Sequence, residues 1–246
     1  MSSCPPEPDP TPITEGPVVE APSAGASLLF GDRFPLAQAY VDLLCAEGIE
    51  WGLIGPREGA RIWSRHVAHC AVLAASLPHG ARVVDVGSGA GLPGLPLAIL
   101  RPDLTVTLLE PLARRTRFLD YAIERLTPLG LAGVEVLQSK AERAPRGRWD
   151  VVTSRAVAPL VTLAQWSLPL LADGGQWWAI RGASAQHEIL ASEEAIRAAG
   201  GHDLTVHTLE AEGIESLTVV YARYVQTPSA DVSRETKSSG PRRRNR

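Results

Sequence analysis

The amino-acid sequence predicts an α/β fold built on a doubly wound, mostly parallel β-sheet. Short apolar, β-branched segments alternate along the chain with segments whose apolar residues recur at helical spacing. The strand-like segments are almost wholly apolar, which is typical of parallel strands covered by helices on both faces. The last two of them have no helix between them, so we expect an antiparallel hairpin at the C-terminal end of the sheet.

Each predicted element rests on its own apolar pattern. Two helices, 35–47 and 58–76, precede the first strand, 82–86. Further strands are predicted at 104–110, 133–137, 149–154 and 175–181, and the hairpin at 203–208 and 215–225. Helical spacing between the strands predicts helices at 93–101, 112–126, 159–171 and 184–199.

Composition divides the 246 residues into one domain and two flanking segments. Residues 1–26 are proline-rich and acidic, and residues 227–246 are polar and basic, so we expect both to be disordered. The domain then spans 27–226, with N-terminal helices over 27–78 packed on it. This length suits a single core.

Several classes of protein are excluded by composition. Three cysteines are too few and too scattered for a disulfide framework or a zinc cluster. No apolar run is long enough to span a bilayer, and no secretory signal is visible. We therefore expect a cytoplasmic protein with no membrane partner, and nothing in the sequence demands more than a monomer. A net charge of −3 does not by itself indicate a polyanionic partner.

The most informative segment is the glycine-rich loop that follows the first strand, in VVDVGSGAGLPG. Glycines at alternate positions let the backbone pass close to a ligand where a Cβ atom would collide. In open α/β sheets, ligands bind at this carboxyl end of the strands. The loop therefore predicts a binding site that includes Asp85, Gly87, Ser88, Gly89 and Gly91.

Two ligands fit this loop. Gly89, Gly91 and Gly94 satisfy the dinucleotide pattern, and Glu110 follows about twenty residues later. The spacing from Asp85 through Gly91 instead matches the S-adenosylmethionine pattern. We favour the second ligand, because the turn begins at Gly87 and a carboxylate at Asp85 suits a cationic amino acid end better than a pyrophosphate. Glu110 ends the second strand, where it can accept hydrogen bonds from ribose hydroxyls.

The acceptor of the methyl group is less well defined by these residues. The fourth strand lacks the Asn/Asp-Pro-Pro-aromatic motif of exocyclic amine methylases, and all three cysteines precede the glycine loop. These absences favour an acceptor with its own lone pair, such as a purine ring nitrogen or a small-molecule amine or hydroxyl. Arg155 follows the fourth strand, where it could bond the acceptor or merely pair with Glu142 or Asp150.

With these residues in hand, the chain resembles the 16S ribosomal RNA guanine-N7 methyltransferases, the glucose-inhibited division protein B family, from about residue 36 to 225. The resemblance is carried by Arg65-His66, by VVDVGSGAGLPGLPLAILRPDLTVTLLEP, and by RRTRFL at 114–119. It continues through Gln138-Ser-Lys-Ala-Glu142, Ser154-Arg-Ala156 and Arg181-Gly182. The Gly-Leu-Pro-Gly ending of the loop and the Ser-Arg-Ala element are the specific motifs.

The resemblance implies a class I, Rossmann-like methyltransferase that uses S-adenosylmethionine to methylate N7 of one guanine in the decoding-region loop of small-subunit RNA. Its partner would be 16S ribosomal RNA, the small subunit or an assembly intermediate. The family's cofactor positions fall on Gly87, Leu92, Glu110, Ala141, Glu142 and Arg155. Arg155, Lys140 and Arg181 would position the acceptor, with no general base, because N7 carries a free lone pair.

Some positions depart from the family pattern. Lys140 stands where the family commonly has arginine, and Arg181 where it has lysine. The family's His-x-x-x-Ser helix motif reads His66-Val-Ala-His-Cys70 here, so the role of position 70 is open. His66, His69 and Cys70 share a helix face, but no fourth ligand is evident and we expect no metal.

Two other functions stay open at this point. A small-molecule methyltransferase would share the same cofactor site. A nucleotide-binding or RNA-binding module would share the fold but transfer no methyl group.

Overall fold

The computed structural model describes residues 18–155 and 158–226, and its centre is a seven-stranded mixed sheet. The strands are β1 (Arg82–Val86), β2 (Thr105–Leu109), β3 (Val134–Leu137), β4 (Trp149–Arg155), β5 (Leu171–Ile180), β6 (Gly201–Ala211) and β7 (Ile214–Tyr224). Their order across the sheet is β3-β2-β1-β4-β5-β7-β6. The first five strands are parallel, and β7 runs antiparallel to both of its neighbours, β5 and β6. The predicted fold class and its C-terminal hairpin are confirmed.

Helices cover both faces of the sheet. They are α1 (Ala24–Phe30), α2 (Phe34–Leu43), α3 (Ala68–Ala71), α4 (Gly94–Leu100), α5 (Ala113–Leu126), α6 (Leu160–Ser167) and α7 (Ala185–Ala198). Consecutive residues of a strand point to opposite faces, so Val83 belongs to the core under α1–α5, and Val84 to the core under α6 and α7. The sheet therefore lies between two apolar cores, and the carboxyl ends of its parallel strands all lie at the same end of the sheet.

Two predicted helices differ from the observed elements. The segment 159–171 stops being α-helical at Ser167, because Pro169 cannot continue the hydrogen-bond ladder, and β5 begins at Leu171. The segment 58–76 is helical throughout, but only Ala68–Ala71 is regular α-helix. A π-helical turn, Ile62–Val67, precedes it, and such turns widen the helix and often occur at functional sites.

The N-terminal segment is ordered earlier than expected. Residues 18–26 were expected to be disordered, yet α1 begins at Ala24 and Ala26 is fully buried. The Glu20 carboxylate accepts hydrogen bonds from the amides of Trp63 and Ser64, at 2.8 and 3.0 Å. Gly25 packs directly on the backbone of the β6–β7 turn. Backbone and polar contacts thus anchor a segment with little apolar surface, which composition alone does not reveal.

Residues 1–17 of the N-terminal segment and the whole C-terminal segment, 227–246, lie outside the described residues, so the expectation that they are disordered is untested. Within 18–155 and 158–226, no helix combines the length and apolarity needed to cross a membrane.

Candidate functional site

The glycine-rich loop turns sharply where β1 ends. Gly87, Gly89 and Gly91 have φ values of 73°, 58° and 100°, which L side chains rarely adopt. A Cβ atom at Gly91 would lie 2.4 Å from Cδ1 of Leu95, and one at Gly94 would lie 2.4 Å from Cδ2 of Leu108. The alternating glycines are therefore required by backbone conformation and by close packing.

Asp85 lies beneath this loop and is fully buried. Its Oδ2 accepts a hydrogen bond from the Gly94 amide at 3.0 Å, while Oδ1 has no hydrogen-bond partner among the described residues. Burial raises the pKa of Asp85 to about 7, although the Gly94 amide opposes that rise. A buried carboxylate with one free oxygen can accommodate a cationic group nearby.

Glu110 ties the end of β2 to the loop. Its Oε2 accepts a hydrogen bond from the Gly89 amide at 3.1 Å, and its Oε1 accepts one from the Leu112 amide at 3.0 Å. The guanidinium of Arg115 lies 3.6 Å from Oε2, and the Glu110 side chain is 1% exposed. Because each oxygen has a second lone pair, ribose hydroxyls could add to these bonds without replacing them.

Two cavities flank the loop and share Gly87. One, of about 190 Å³, is lined by Leu109, Pro111, Ser139, Lys140, Ala141, Glu142 and Trp166 together with the end of β1. The other, of about 290 Å³, is lined by Leu53, Ile54, Glu58, His66, Leu92 and Arg155 together with Gly87–Ala90. The first is mostly apolar, whereas the second also contains the charged side chains Glu58 and Arg155, so a ligand with a flat aromatic end and a charged end would suit the pair.

A third and larger cleft, of about 900 Å³, opens beside β4 and shares Arg155 with the second cavity. Its wall includes the positively charged side chains Arg65, Arg155 and Arg181, the acids Glu188 and Glu215, and His69. Arg155 thus stands on the common wall between the space beside the glycine loop and an open cationic cleft.

The Arg155 guanidinium is held from the side of the N-terminal helices. Its Nη2 lies 2.7 Å from Nδ1 of His66, and its Nη1 donates to the Sγ atom of Cys70 at 3.5 Å. Asp150, one of its two candidate ion-pair partners, pairs instead with Arg82, with two contacts of 2.8 and 3.0 Å. Arg155 is therefore oriented by His66 and Cys70 rather than by that acid.

Comparison with known proteins identifies the family. The model of the rRNA small subunit methyltransferase G family matches residues 33–218. The chain belongs to this family. It is 47% identical over 231 residues to the ribosomal RNA small subunit methyltransferase G of Salinispora tropica, with 90% of this chain and 95% of the relative covered. It is 48% identical over 212 residues to that of Pseudarthrobacter chlorophenolicus, with 86% and 97% covered.

Among solved structures, the chain is similar to M. jannaschii TYW2 in complex with AdoMet, with a TM-score of 0.51, 17% identity, and 65% and 76% of the two chains covered. A likeness at this identity shows the fold alone. The fold is that of the class I, Rossmann-like methyltransferases, as the strand order and the antiparallel β7 indicate.

Within this methyltransferase fold, most of the predicted cofactor residues lie together. Gly87, Ser88, Gly89 and Leu92 line the second cavity, and Ala141 and Glu142 line the first. Asp85 and Glu110 lie beneath the loop and contact its backbone instead of lining either cavity. Gly91 packs under the loop against Leu95.

The three residues expected to position the acceptor divide into two groups. Arg155 and Arg181 line the large cleft, whereas Lys140 is exposed at the apolar cavity beside Ala141. Lys140 precedes the turn Ala141–Arg143 at the carboxyl end of β3, which two strands, β2 and β1, separate from β4. The structure therefore places Lys140 at the apolar cavity and does not bring it to the large cleft.

Arg181 is not a free charge in the cleft. Its guanidinium forms an ion pair with Glu188 on α7 and donates to the carbonyl oxygen of Ala158 at 3.1 Å. Burial tends to raise the pKa of Glu188, but hydrogen bonds from Ser184 and Arg181 hold that pKa below its ordinary value. The pair is consequently ionised at neutral pH, and much of the positive charge of Arg181 is neutralised.

The histidines and cysteine that share a helix face have different partners. His66 contacts Arg155 and Glu58, whereas His69 lies 3.2 Å from the carbonyl oxygen of Ser216 on β7. Burial raises the pKa of Cys70 to about 11, with Arg155 opposing the rise, so its thiol is uncharged. Among the residues that the structure describes, no cluster of three such side chains could hold a metal ion.

Sequence reasoning missed three residues of the site. The Tyr40 hydroxyl donates to the carbonyl oxygen of Ala90 at 2.8 Å and so fixes the loop from α2. Glu58 accepts from His66, and Trp166 lines the apolar cavity. None of the three carries a motif, and only the long-range packing of the helices brings them to the loop.

Proposed function

We propose that this protein transfers a methyl group from S-adenosylmethionine to N7 of a guanine in the 16S RNA of the small ribosomal subunit. The observation that carries the proposal is the place of Arg155, which lies on both the wall of the loop cavity and the wall of the large cationic cleft. A donor bound along the loop and a base bound in the cleft would meet at this side chain. Family membership supports the same chemistry.

The residues present fit the cofactor. The positive-φ glycines leave the loop backbone open to close approach, and Asp85 has an unpartnered buried oxygen beneath it. When bound, S-adenosylmethionine supplies an electrophilic methyl group. Ala141, Glu142 and Trp166 would hold the flat base, Glu110 the ribose, and the loop with Asp85 the cationic amino acid end.

Methylation at guanine N7 requires the protein to position the base but not to activate it. Its lone pair is free at neutral pH, so no proton has to be removed before attack and the chain needs no general base. The guanidinium of Arg155 would donate a hydrogen bond to the neighbouring carbonyl oxygen O6 of the guanine. The N7 lone pair would then remain free to face the methyl group of the cofactor. Arg65, on the same cleft wall, would attract the RNA backbone.

The assembly and location follow from the same proposal. We take the active species to be a monomer, because one chain carries both cavities and the cleft. We take it to act in the cytoplasm, because its proposed substrate is ribosomal RNA. Residues 227–246, with six basic and two acidic side chains, would add salt-sensitive attraction to RNA.

The proposal is tested with labelled S-adenosylmethionine and small subunits from cells that lack this gene, followed by mapping of the modified nucleotide. We expect label at N7 of a single guanine in the decoding-region loop. Label on a small molecule but never on RNA would replace the proposed acceptor and keep the fold. Cofactor binding without formation of S-adenosylhomocysteine would instead indicate a binding module.

A further inference from the structure

A chain of polar contacts leads from the protein surface to Arg155. Glu58 accepts hydrogen bonds from Arg61, with the shorter at 2.7 Å, and its Oε2 lies 2.6 Å from Nε2 of His66. Nδ1 of the same ring lies 2.7 Å from Nη2 of Arg155. His66 is 8% exposed, and its segment is the π-helical turn Ile62–Val67. The imidazole ring thus bridges a surface carboxylate and the arginine of the site.

The donors and acceptors in this chain allow one proton arrangement. Hydrogen bonds from Arg61 and then from His66 lower the pKa of Glu58 to about 2, so its carboxylate only accepts. A guanidinium only donates. Neutral His66 satisfies both neighbours when its proton is on Nε2 and its Nδ1 lone pair faces Arg155.

We propose that Glu58 and His66 are positioning residues for methyl transfer: the Glu58 carboxylate keeps the proton of His66 on Nε2, and Nδ1 then holds the Arg155 guanidinium at the junction of the cofactor cavity and the acceptor cleft. The proposal rests on the function assigned to Arg155 above. It explains why the carboxylate lies 2.6 Å from the ring although neither residue belongs to the glycine loop.

Protonation of His66 would undo this arrangement, because an Nδ1–H group would then oppose the N–H groups of Arg155. The charges that face the ring are Arg155 from β4 and Glu58 and Arg61 from the turn Glu58–Arg61. Burial, and next Arg155, lower the pKa of His66, whereas Glu58 opposes that shift. The ring is therefore neutral at physiological pH, and the contact with Arg155 weakens as the solution becomes acidic.

The experiment measures single-turnover methylation of small subunits at saturating cofactor between pH 5 and 8. His66→Leu removes the acceptor for Arg155 and is expected to lower the rate about tenfold to a hundredfold, the loss that misplacement of a reacting group produces. His66→Asn places an amide oxygen near the position of Nδ1 and does not titrate. It should recover part of the rate, and the ratio of its rate to that of the unmodified protein should rise as the pH falls.

Glu58→Ala gives an independent and less obvious result. Without the carboxylate only Arg155 itself favours the Nε2–H tautomer, and the ring is held less firmly, so the rate at pH 8 should fall several-fold. The pKa of His66 should fall as well, because the anion that favours the charged ring is gone. The acid decline of the rate should therefore move to lower pH. Taking each variant as a ratio to the unmodified protein cancels titrations that both share, such as that of Asp85.

Matched controls are available on the surface. His79, 91% exposed beside Asp103, is changed to Asn, and Glu193, exposed in an ion pair with Arg197, is changed to Ala. Both should leave rate and pH profile unchanged. Circular dichroism and thermal unfolding establish that every variant is folded, and cofactor affinity is measured separately. If His66→Leu does not fold, the pH profile of Glu58→Ala tests the proposal instead. The Glu58 side chain is 27% exposed in the native protein, so its removal disturbs the core little.

Three results would overturn the proposal. One is full activity of folded His66→Leu or Glu58→Ala. Another is an acid decline of Glu58→Ala that stays in place or moves upward in pH. The third is a loss of cofactor affinity with an unchanged saturated rate, which would make the pair cofactor ligands. Failure of the proposed function itself is distinct, since the unmodified protein would then put no label on RNA.

Discussion

The two sides of Arg155 are built in different ways. The side proposed for the cofactor is centred on one continuous glycine loop, Gly87–Leu92, which the ends of β1, β2 and β3 and side chains from more distant segments complete. The acceptor cleft consists of side chains from four separate segments, around residues 65–69, 155–159, 180–188 and 215–218. Backbone recognition depends on local conformation, which glycine spacing reveals. A cleft made of distant side chains depends on how helices and strands pack, and each charge in it takes partners that a motif does not show.

The largest effect is expected from breaking the backbone side. Gly91→Val places a β-branched residue at φ 100° and a Cβ atom 2.4 Å from Leu95, so the loop must move. Cofactor binding measured by calorimetry should be abolished, and strain should lower the free energy of unfolding by about 1–3 kcal/mol. Gly147→Val, also at positive φ but with no atom near its Cβ position, is the control and should bind the cofactor normally.

Arg155→Ala breaks the acceptor side and leaves the loop intact. Methylation should fall about a hundredfold, since a charged donor at the reacting base is lost, while cofactor affinity stays near that of the unmodified protein. Arg155→Lys keeps the charge but not the forked geometry, so its rate should lie between the two. Radiolabel transfer and calorimetry on the same samples separate the effects, and equal loss of cofactor affinity would contradict the division of the site.

Asp85→Asn tests the buried carboxyl group beneath the loop through the pH dependence of protein stability. The pKa of Asp85 is raised by burial to about 7 in the folded protein, so the folded state holds a proton that the unfolded state releases above about pH 4. Stability of the unmodified protein therefore declines as pH rises from 4 to 7, and this decline is absent in the amide. Relative to the unmodified protein, Asp85→Asn should gain about 1–3 kcal/mol between pH 5 and 8 in urea unfolding, at about 1.4 kcal/mol per unit.

Asp103→Asn is the control for that measurement. Its carboxylate pairs with Arg101, which lowers the pKa of Asp103 far below pH 5. The stability difference caused by this substitution should be the same at pH 5 and pH 8. A similar pH dependence in both variants would remove Asp85 as the origin.

The smallest effect concerns the neutralised charge of Arg181. Glu188→Gln frees the guanidinium, so RNA binding should tighten a few-fold and its salt dependence should steepen, with a log–log slope larger by about 0.7–0.9. Glu193→Gln on the same helix does not line the cleft and should change neither quantity. Filter binding at several salt concentrations measures both, and weaker binding by Glu188→Gln would show that the ion pair itself supports the RNA surface.

Much of the site could be predicted because its signals are local. The strand-loop-helix segment around Gly87–Gly94 combines an apolar strand, positive-φ glycines and a close helix, and each of these leaves a mark in the sequence. Lys140 shows the limit of this reasoning. Its charge and motif pointed to the acceptor, but the turn after β3 places it beside Ala141 at the opposite cavity.

Elements whose ends depend on contacts were predicted less well. The boundary near residue 26 was wrong because Glu20 and Gly25 are ordered by amides and by a backbone surface, and neither interaction requires apolar side chains. The irregular helix 58–76 showed ordinary helical spacing, since a π-helical turn shifts the register by a single residue. His66, which contacts Arg155, lies in that turn.

The sequence by itself determined the alternation of strands and helices, the hairpin, the glycine loop and the family, because hydrophobic period and glycine conformation act between near neighbours. Only the tertiary structure decided which charges are free. It paired Arg181 with Glu188, gave Asp150 to Arg82, and set Glu58 and His66 behind Arg155. These partners lie on different elements or in irregular helical segments. Their contacts therefore form only once the helices have packed on both faces of the sheet.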